Sequence, residues 1–405
     1  MNQPLFLHIV ERLEGFLHKL PDAIQKPILH ELTPLKQLFL QQRAPRFALT
    51  GSHRLPIQEV VATLFAAAQP GDLRDVLMEV YRWHDIDVGG HGVIAVLDAR
   101  GADETAMQNI QQELARQPAD IFLHVVDGNS GRPVLSRDTE TLAKLHVANA
   151  SGETKAKIVG VSILAPARAS SKSGAPERAS AVEKLQAALS EKDDLRDYLI
   201  GVLEIPLSAP DSNGSESSAA AARLMALLSN ELPNEARVEM IRISRDRQAQ
   251  AQIAQVLVKS TSAICTAIGA QPIPLADLPI LTTLQLMMVS GIMYIAGRER
   301  SLRAATEFIG ALGVNVGAGM VLREGARAVL KFFPGWGNVV CGMVAGAGTY
   351  ALGRAAIVYF LEGVSLKDAR RTYLSSRKKP ARAKLLRSGA TPADPTVGKS
   401  PRHND

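Results

Sequence analysis

The residues best placed to do chemistry are Gly51-Ser52-His53-Arg54-Leu55-Pro56-Ile57-Gln58, which follow a β-type run at Arg46 to Thr50 and lead into helical spacing from Ile57 to Ala68. A strand, a loop opening on glycine, and a helix form the setting of the phosphate loop G-x-x-x-x-G-K-[ST]. In that loop backbone N–H groups converge on phosphate, the lysine neutralises charge, and the hydroxyl holds Mg²⁺. Here Pro56 stands at the second glycine, where it removes a donor and fixes φ. Ile57 replaces the lysine and Gln58 the hydroxyl. A second strand-end motif is better preserved. Val93 to Leu97 runs into Asp98-Ala99-Arg100-Gly101, a D-x-x-G whose carboxylate can hold Mg²⁺ through water and whose glycine N–H can meet a γ-phosphate. Asp and Gly at a strand end are also ordinary turn residues, so the weight of this motif comes from its position after Gly51.

Other constellations carry less. His84, Asp85, Asp87 and His91 lack a third anchor and read as a polar loop, so no metal site is expected. No Ser, His and Asp arrangement has a nucleophile-elbow signature. Gly317-Ala318-Gly319 and Gly346-Ala347-Gly348 follow no strand and do not read as dinucleotide loops.

Apolar runs at residues 46–50, 93–97, 121–126, 158–164 and 202–207 alternate with helical spacing at 57–68, 105–116, 138–148 and 179–191. That alternation predicts a parallel α/β sheet covered on both faces. Residues 1–43 read as two or three short amphipathic helices punctuated by Pro21, Pro27 and Pro34, and 165–179 and 208–219 as loops. Residues 235–269 read as one long helix. Beyond it lie uncharged stretches of 20, 15 and 22 residues at Leu278 to Gly297, Phe308 to Leu322 and Phe332 to Gly353. The first and third reach the roughly 20 residues that span a bilayer. Gly313 with Gly317 and Gly342 with Gly346 have the helical spacing that lets backbones approach closely.

With Gly51, Asp98 and Gly101 in place, residues 44–232 resemble the Era-like branch of translation-factor-type GTPases. Ala119 to Asp127 is similar to that family's next core strand, and Ser208-Ala209 to its guanine-contacting loop. The resemblance implies a P-loop NTPase-like α/β fold, with GTP and Mg²⁺ as ligands if the site is functional. The N-K-x-D or T-K-x-D motif should follow the strand Lys157 to Val161, where this chain has Ser162-Ile163-Leu164-Ala165. The base-reading carboxylate is missing there, so the domain reads as a degenerate GTPase with no catalytic residue. Arg54 is the candidate substitute for the lost lysine.

Residues 236–362 resemble the membrane-associated helical domain found in YcjF-like bacterial proteins. The likeness rests on Pro272, Pro274, Asp277, Gln285, Lys331, Pro334, Gly337, Thr349, Tyr350 and Gly353. It implies an all-α, glycine-rich, hydrophobic module with a role in membrane association. The expected organisation is a helical lead at 1–43, the GTPase-like domain at 44–232, the helical domain at 233–363 and a basic disordered tail at 364–405.

Charge supports this division. Residues 364–405 hold 11 Lys and Arg against 3 Asp and Glu, whereas the rest of the chain has 35 against 37. Such a tail meets anionic lipid or RNA, or is simply solvated, and no recognised RNA-binding module accompanies it. The opening residues carry neither a basic leader nor a cleavage site, and the two cysteines, Cys265 and Cys341, exclude a disulfide framework. If 278–297 and 332–353 both spanned a membrane, the connection between them would carry a net +3 outward, against the positive-inside rule. The expected location is therefore the cytoplasmic side of the inner membrane, with the helical module lying on the bilayer or dipping into it and two spans as the alternative. The reading is a scaffold or partner-binding protein, with a protein partner or a homo-oligomer; a slow GTPase and a nucleic-acid-associated protein are the alternatives.

Overall fold

The structure, a computed structural model, describes residues 42–65, 81–89, 91–130, 133–149, 155–164, 176–207, 215–270, 277–313 and 336–376, together with Gln25, Lys26 and Leu29. The chain divides into two compact units, Met1–Leu257 with Gly291–Arg300, and Val258–Ser290 with Ser301–Asp405.

The first unit is built on a six-stranded, mostly parallel sheet. Its strands are β1 (Arg46–Gly51), β2 (Trp83–Asp87), β3 (Val93–Asp98), β4 (Ile121–Asp127), β5 (Lys157–Leu164) and β6 (Leu199–Pro206), in the order β2-β3-β1-β4-β5-β6. Only β2 runs antiparallel, to β3. The central strand β4 is apolar almost throughout because it is covered on both faces, as parallel sheets require. Helix α1 (Ile57–Phe65) packs Val60, Val61 and Leu64 on one face, against Phe47 and Leu49. Helix α2 (Glu104–Arg116) packs Ala106, Ile110 and Leu114 on the other, against Ala48, Phe122 and Val126. The chain leaves β1 toward β2 and β3 and returns past β1 to β4, so the crossovers change sides beside β1. That reversal opens a crevice at the carboxyl ends of β1 and β3, where ligands of open α/β sheets bind.

The opposite end of the sheet is closed by a clamp. The Arg43 guanidinium donates to both oxygens of Asp120 at 2.7 and 2.6 Å, and Asp120 also accepts the Arg46 amide at 2.9 Å. Helices α3 (Ser136–Ala148), α4 (Pro176–Ser190), α5 (Asp193–Arg196), α6 (Ser215–Glu231) and α7 (Asn234–Ser244) belong to the same unit. Leu224, Met225 and Leu228 of α6 and Met240 and Ile243 of α7 extend the α1 face of the core.

Three expectations change. The polar stretch at His84, Asp85 and Asp87 is not a loop but strand β2; as an edge strand it buries only Ile86, so its alternation is written mostly in charged residues. The single helix over 235–269 is two, α7 and α8 (Arg247–Gly269), broken where Arg245 takes a left-handed φ of 53°. The loop expected over 208–219 gives way to α6 from Ser215.

The second unit is helical. It contains the second half of α8, the larger part of α9 (Asp277–Ile295), α10 (Leu302–Ala311) and α11 (Trp336–Phe360). Gly342, Gly346 and Gly353 of α11 face α8 so closely that side chains there would strike the Thr266 carbonyl, the Thr266 hydroxyl and Val258 respectively. Gly313, spaced for a helical pair with Gly317, instead follows the end of α10 at φ 71°, and Gly317 lies outside the described residues. Residues 366–376, expected to belong to a disordered tail, form a helix α12. The Ser365 hydroxyl caps its start by accepting the Asp368 amide at 3.2 Å, and Ala369 and Tyr373, four residues apart, are buried. The tail beyond 376 and the lead before 42 lie outside the described residues, apart from Gln25, Lys26 and Leu29. Among the described residues no helix is long and apolar enough to cross a membrane.

Candidate functional site

Gly51 closes β1 with φ 98°, and a Cβ there would land on the Val125 carbonyl oxygen, so only glycine fits. The next amide, Ser52 N–H, donates to that same carbonyl at 2.8 Å. The loop then crosses the crevice, with Leu55 buried, and enters α1. Pro56 supplies the carbonyl that accepts the Val60 amide at 3.1 Å and offers no N–H of its own.

On the other side β3 delivers Asp98. The Ala99 amide donates to the Leu49 carbonyl at 2.8 Å, and Gly101 turns the chain at φ 67° against the His53 ring. Asp103 then caps α2 by accepting the Ala106 amide at 2.8 Å. Gly51, Asp98 and Gly101 thus surround one crevice.

The side chain that fills this crevice is Arg100, an unassigned position of D-x-x-G to which the sequence pattern gives no role. It is 6% exposed. Its Nε donates to Asp98 Oδ1 at 2.8 Å and its Nη2 to Asp98 Oδ2 at 3.1 Å, a bidentate ion pair. Nη1 donates to the Leu55 carbonyl at 3.0 Å and to the Ser52 carbonyl at 3.3 Å. The loop after β1 therefore offers carbonyl acceptors to the crevice at these two residues. The sequence signal that could have found Arg100 is its setting: a cation between an apolar strand and a glycine, two residues from a carboxylate.

Arg54, the candidate substitute for lysine, is exposed and donates from Nη1 to the Ser130 hydroxyl at 3.2 Å. Behind the crevice the Thr50 hydroxyl lies 3.1 Å from His124 Nδ1. His124 is wholly buried, and burial depresses its pKa to about 4. Its Nε2 has no partner among the described residues. Strand β5 continues to Leu164 and pairs with β6 through Ile163 and Leu164, so Ser162 to Leu164 lie within the sheet. The position expected for the guanine-reading motif, Ser162 to Ala165, is thus mostly strand and not a loop, while Ala165 and the residues after it fall outside the described residues, as do Ser208 and Ala209. The sequence from 165, Ala-Pro-Ala-Arg, has neither the lysine nor the aspartate of that motif.

In the helical unit two residues of the sequence resemblance meet. Gln285 Nε2 donates to the Thr349 hydroxyl at 2.9 Å, and Thr349 donates to the Ala345 carbonyl at 2.9 Å. Burial pushes the neighbouring Cys265 thiol up to about 12, against the pull of its hydrogen bond with Thr349. Gly353 lies against Val258 and Met288, while Tyr350 is exposed. Asp277 and Gly337 lie in α9 and α11, and Pro272, Pro274, Lys331 and Pro334 lie outside the described residues. Among the described residues no group of three His, Cys, Asp or Glu could hold a metal ion.

No family model matches the chain. It is 28% identical over 142 residues to magnetosome membrane protein 22 of Magnetospirillum gryphiswaldense, an overlap of 32% of this chain and 71% of that protein. Among solved structures it is similar to one describing dimerization and GTPase activity of the chloroplast translocon components atToc33 and psToc159, with a TM-score of 0.31, 17% identity, and coverage of 49% of this chain and 84% of that one. It is also similar to chains of an oligomerised bacterial dynamin pair, with TM-scores of 0.28 and 0.27 and identities of 10% and 12%. These cover 96% and 95% of this chain and 78% and 74% of theirs.

Proposed function

We propose that the α/β domain is a degenerate Era-like GTPase domain that takes no guanine nucleotide, and that the YcjF-like helical domain brings it to the cytoplasmic face of the inner membrane. The protein then works by binding and assembly, with a second copy or another protein as partner. The observation that carries this reading is the start of α1. Pro56 withholds an N–H, Ile57 brings an apolar side chain where phosphate needs a cation, and Gln58 brings no hydroxyl. A charge-assisted phosphate contact is worth on the order of 1.5 to 3 kcal/mol, so losing the lysine alone weakens binding roughly ten- to a hundredfold. The residues present therefore do not fit a magnesium-bound nucleotide, and no hydrolytic step runs through one. The membrane part rests on the uncharged stretches, the basic residues beyond 376 and the likeness to a magnetosome membrane protein.

Isothermal titration of the full chain with GTP, GDP and ATP in Mg²⁺ tests the first part, and micromolar affinity for a guanine nucleotide overturns it. It would favour the alternative of an atypical GTP-binding protein, for which Gly51, Asp98 and Gly101 are correctly gathered. Flotation of the full chain with anionic and neutral vesicles tests the second part. A monodisperse protein that floats with neither overturns it.

A further inference from the structure

The crevice has the opposite chemistry from the one its position suggests. A phosphate site presents donors, and this one presents acceptors around Arg100: two oxygens of Asp98 and the carbonyls of Ser52 and Leu55. Acceptors converging on a buried point select a cation and repel phosphate, and burial strengthens both effects. A planar guanidinium with donors in a fixed fork suits this arrangement, since it can meet a carboxylate on one edge and carbonyls on the other.

We infer that the crevice is a cation site which the chain fills with its own Arg100, so that the loops after β1 and β3 are held together permanently without a bound ligand. This rests on the reading of the domain as unable to take nucleotide and adds what stands in the ligand's place. Arg100 is a positioning residue. Through Asp98 it fixes the end of β3, and through two carbonyls it fixes the loop that enters α1. A domain that switched would have to release these contacts, whereas one that scaffolds gains from keeping them. Three features agree with permanence. The guanidinium is buried, its carboxylate partner is two residues away, and Gly101 beside it turns the chain against His53, where a Cβ would come within 2.9 Å of the ring. Arg54, with its guanidinium on the exposed Ser130 hydroxyl, does not compete for the place.

The test is chemical rescue in the full chain. Arg100→Ala should leave a largely buried carboxylate and two carbonyls unmet, lowering the melting temperature by roughly 5 to 10 °C. Methylguanidinium at non-denaturing millimolar concentration should restore part of that loss in Arg100→Ala and none in the wild type, with tetramethylammonium as the control cation. Arg100→Lys, which keeps charge but cannot reach both edges, should melt between the two and guards against an alanine variant that fails to fold. Wild-type melting in both variants, or equal effects of methylguanidinium on variant and wild type, overturns the inference. Magnesium GTP binding to Arg100→Ala and not to the wild type also overturns it, because Arg100 would then plug a working phosphate site. GTP binding to the wild type itself sinks the functional reading instead, so the two failures are distinguishable.

Discussion

The Tyr294 hydroxyl at the end of α9 donates to the Glu239 carboxylate of α7, whose other oxygen accepts the Val93 amide at 3.1 Å. One carboxylate thus joins the β2–β3 hairpin to two helices. The guanidinium carbons of Arg242 and Arg300 lie 4.2 and 4.3 Å from the centre of the same tyrosine ring. Burial, then the charge and hydrogen bond of Glu239, push the Tyr294 phenol up to about 12.

Tyr294→Phe should therefore cost about 1 to 3 kcal/mol, because it leaves a buried carboxylate oxygen without its donor. Denaturant unfolding measures the loss. Ultraviolet titration should show one tyrosine that stays protonated until about pH 12 or until the protein unfolds, and that signal should vanish in the variant. A full complement of tyrosines ionising near the ordinary value of about 10 in the folded protein would contradict the pairing.

Two glycines of α11 should respond in opposite directions. Gly342→Ala would place a Cβ 2.5 Å from the Thr266 carbonyl oxygen of α8 and should destabilise the helical unit by at least about 1 kcal/mol. A Cβ added at Gly348 would meet nothing within 4 Å, so Gly348→Ala should stabilise by about 0.5 to 1 kcal/mol through helix propensity. Thermal melts of the two variants check the contrast, and equal shifts would refute the seam.

His124 makes stability depend on pH below neutrality. Its folded pKa of about 4 lies under the ordinary 6.5, so between those values the unfolded chain binds the extra proton and stability falls as pH falls. The loss should approach on the order of 3 kcal/mol by about pH 4. His146, also depressed by burial, adds to it, while Asp138, raised by burial, acts with the opposite sign. Unfolding of wild type and His124→Gln between about pH 7 and pH 4 isolates the contribution. An unchanged slope in the variant would refute the assignment.

For the membrane reading, the informative truncation begins after residue 376, because removing α12 would also remove the buried Ala369 and Tyr373. Deleting 377–405 removes eight basic and two acidic residues. Each basic residue near an anionic leaflet contributes about 1 kcal/mol, which salt screens, so the truncated chain should leave anionic vesicles at lower salt than the full chain. Identical release profiles would take the tail out of the mechanism.

Much of the first unit was legible because a parallel sheet buried on both faces writes its strands as apolar runs. Strands β1, β3, β4 and β5 lie within a residue or two of where those runs predict them, and β6 begins three residues earlier than its run. Strand β2 was hidden because an edge strand needs little burial, and charges at Asp85 and Asp87 mask its period. The break at Arg245 was hidden because both flanking helices keep apolar spacing through it. The crevice was half legible. Gly51, Asp98 and Gly101 follow from turn geometry at strand ends, but nothing in residue type says that Arg100 folds inward when most arginines face water.

The Arg43 to Asp120 clamp has a practical consequence. It sits where the parallel strands begin, and the crevice lies where they end, so a strand of six residues, roughly 20 Å, separates them. Arg43, just before β1, stands at the pole of the sheet facing away from Arg100. A fluorophore placed at Arg43 would therefore sit roughly 20 Å from the mouth of the crevice, and any signal it gave on perturbing Arg100 would report motion carried along the strands and not local obstruction.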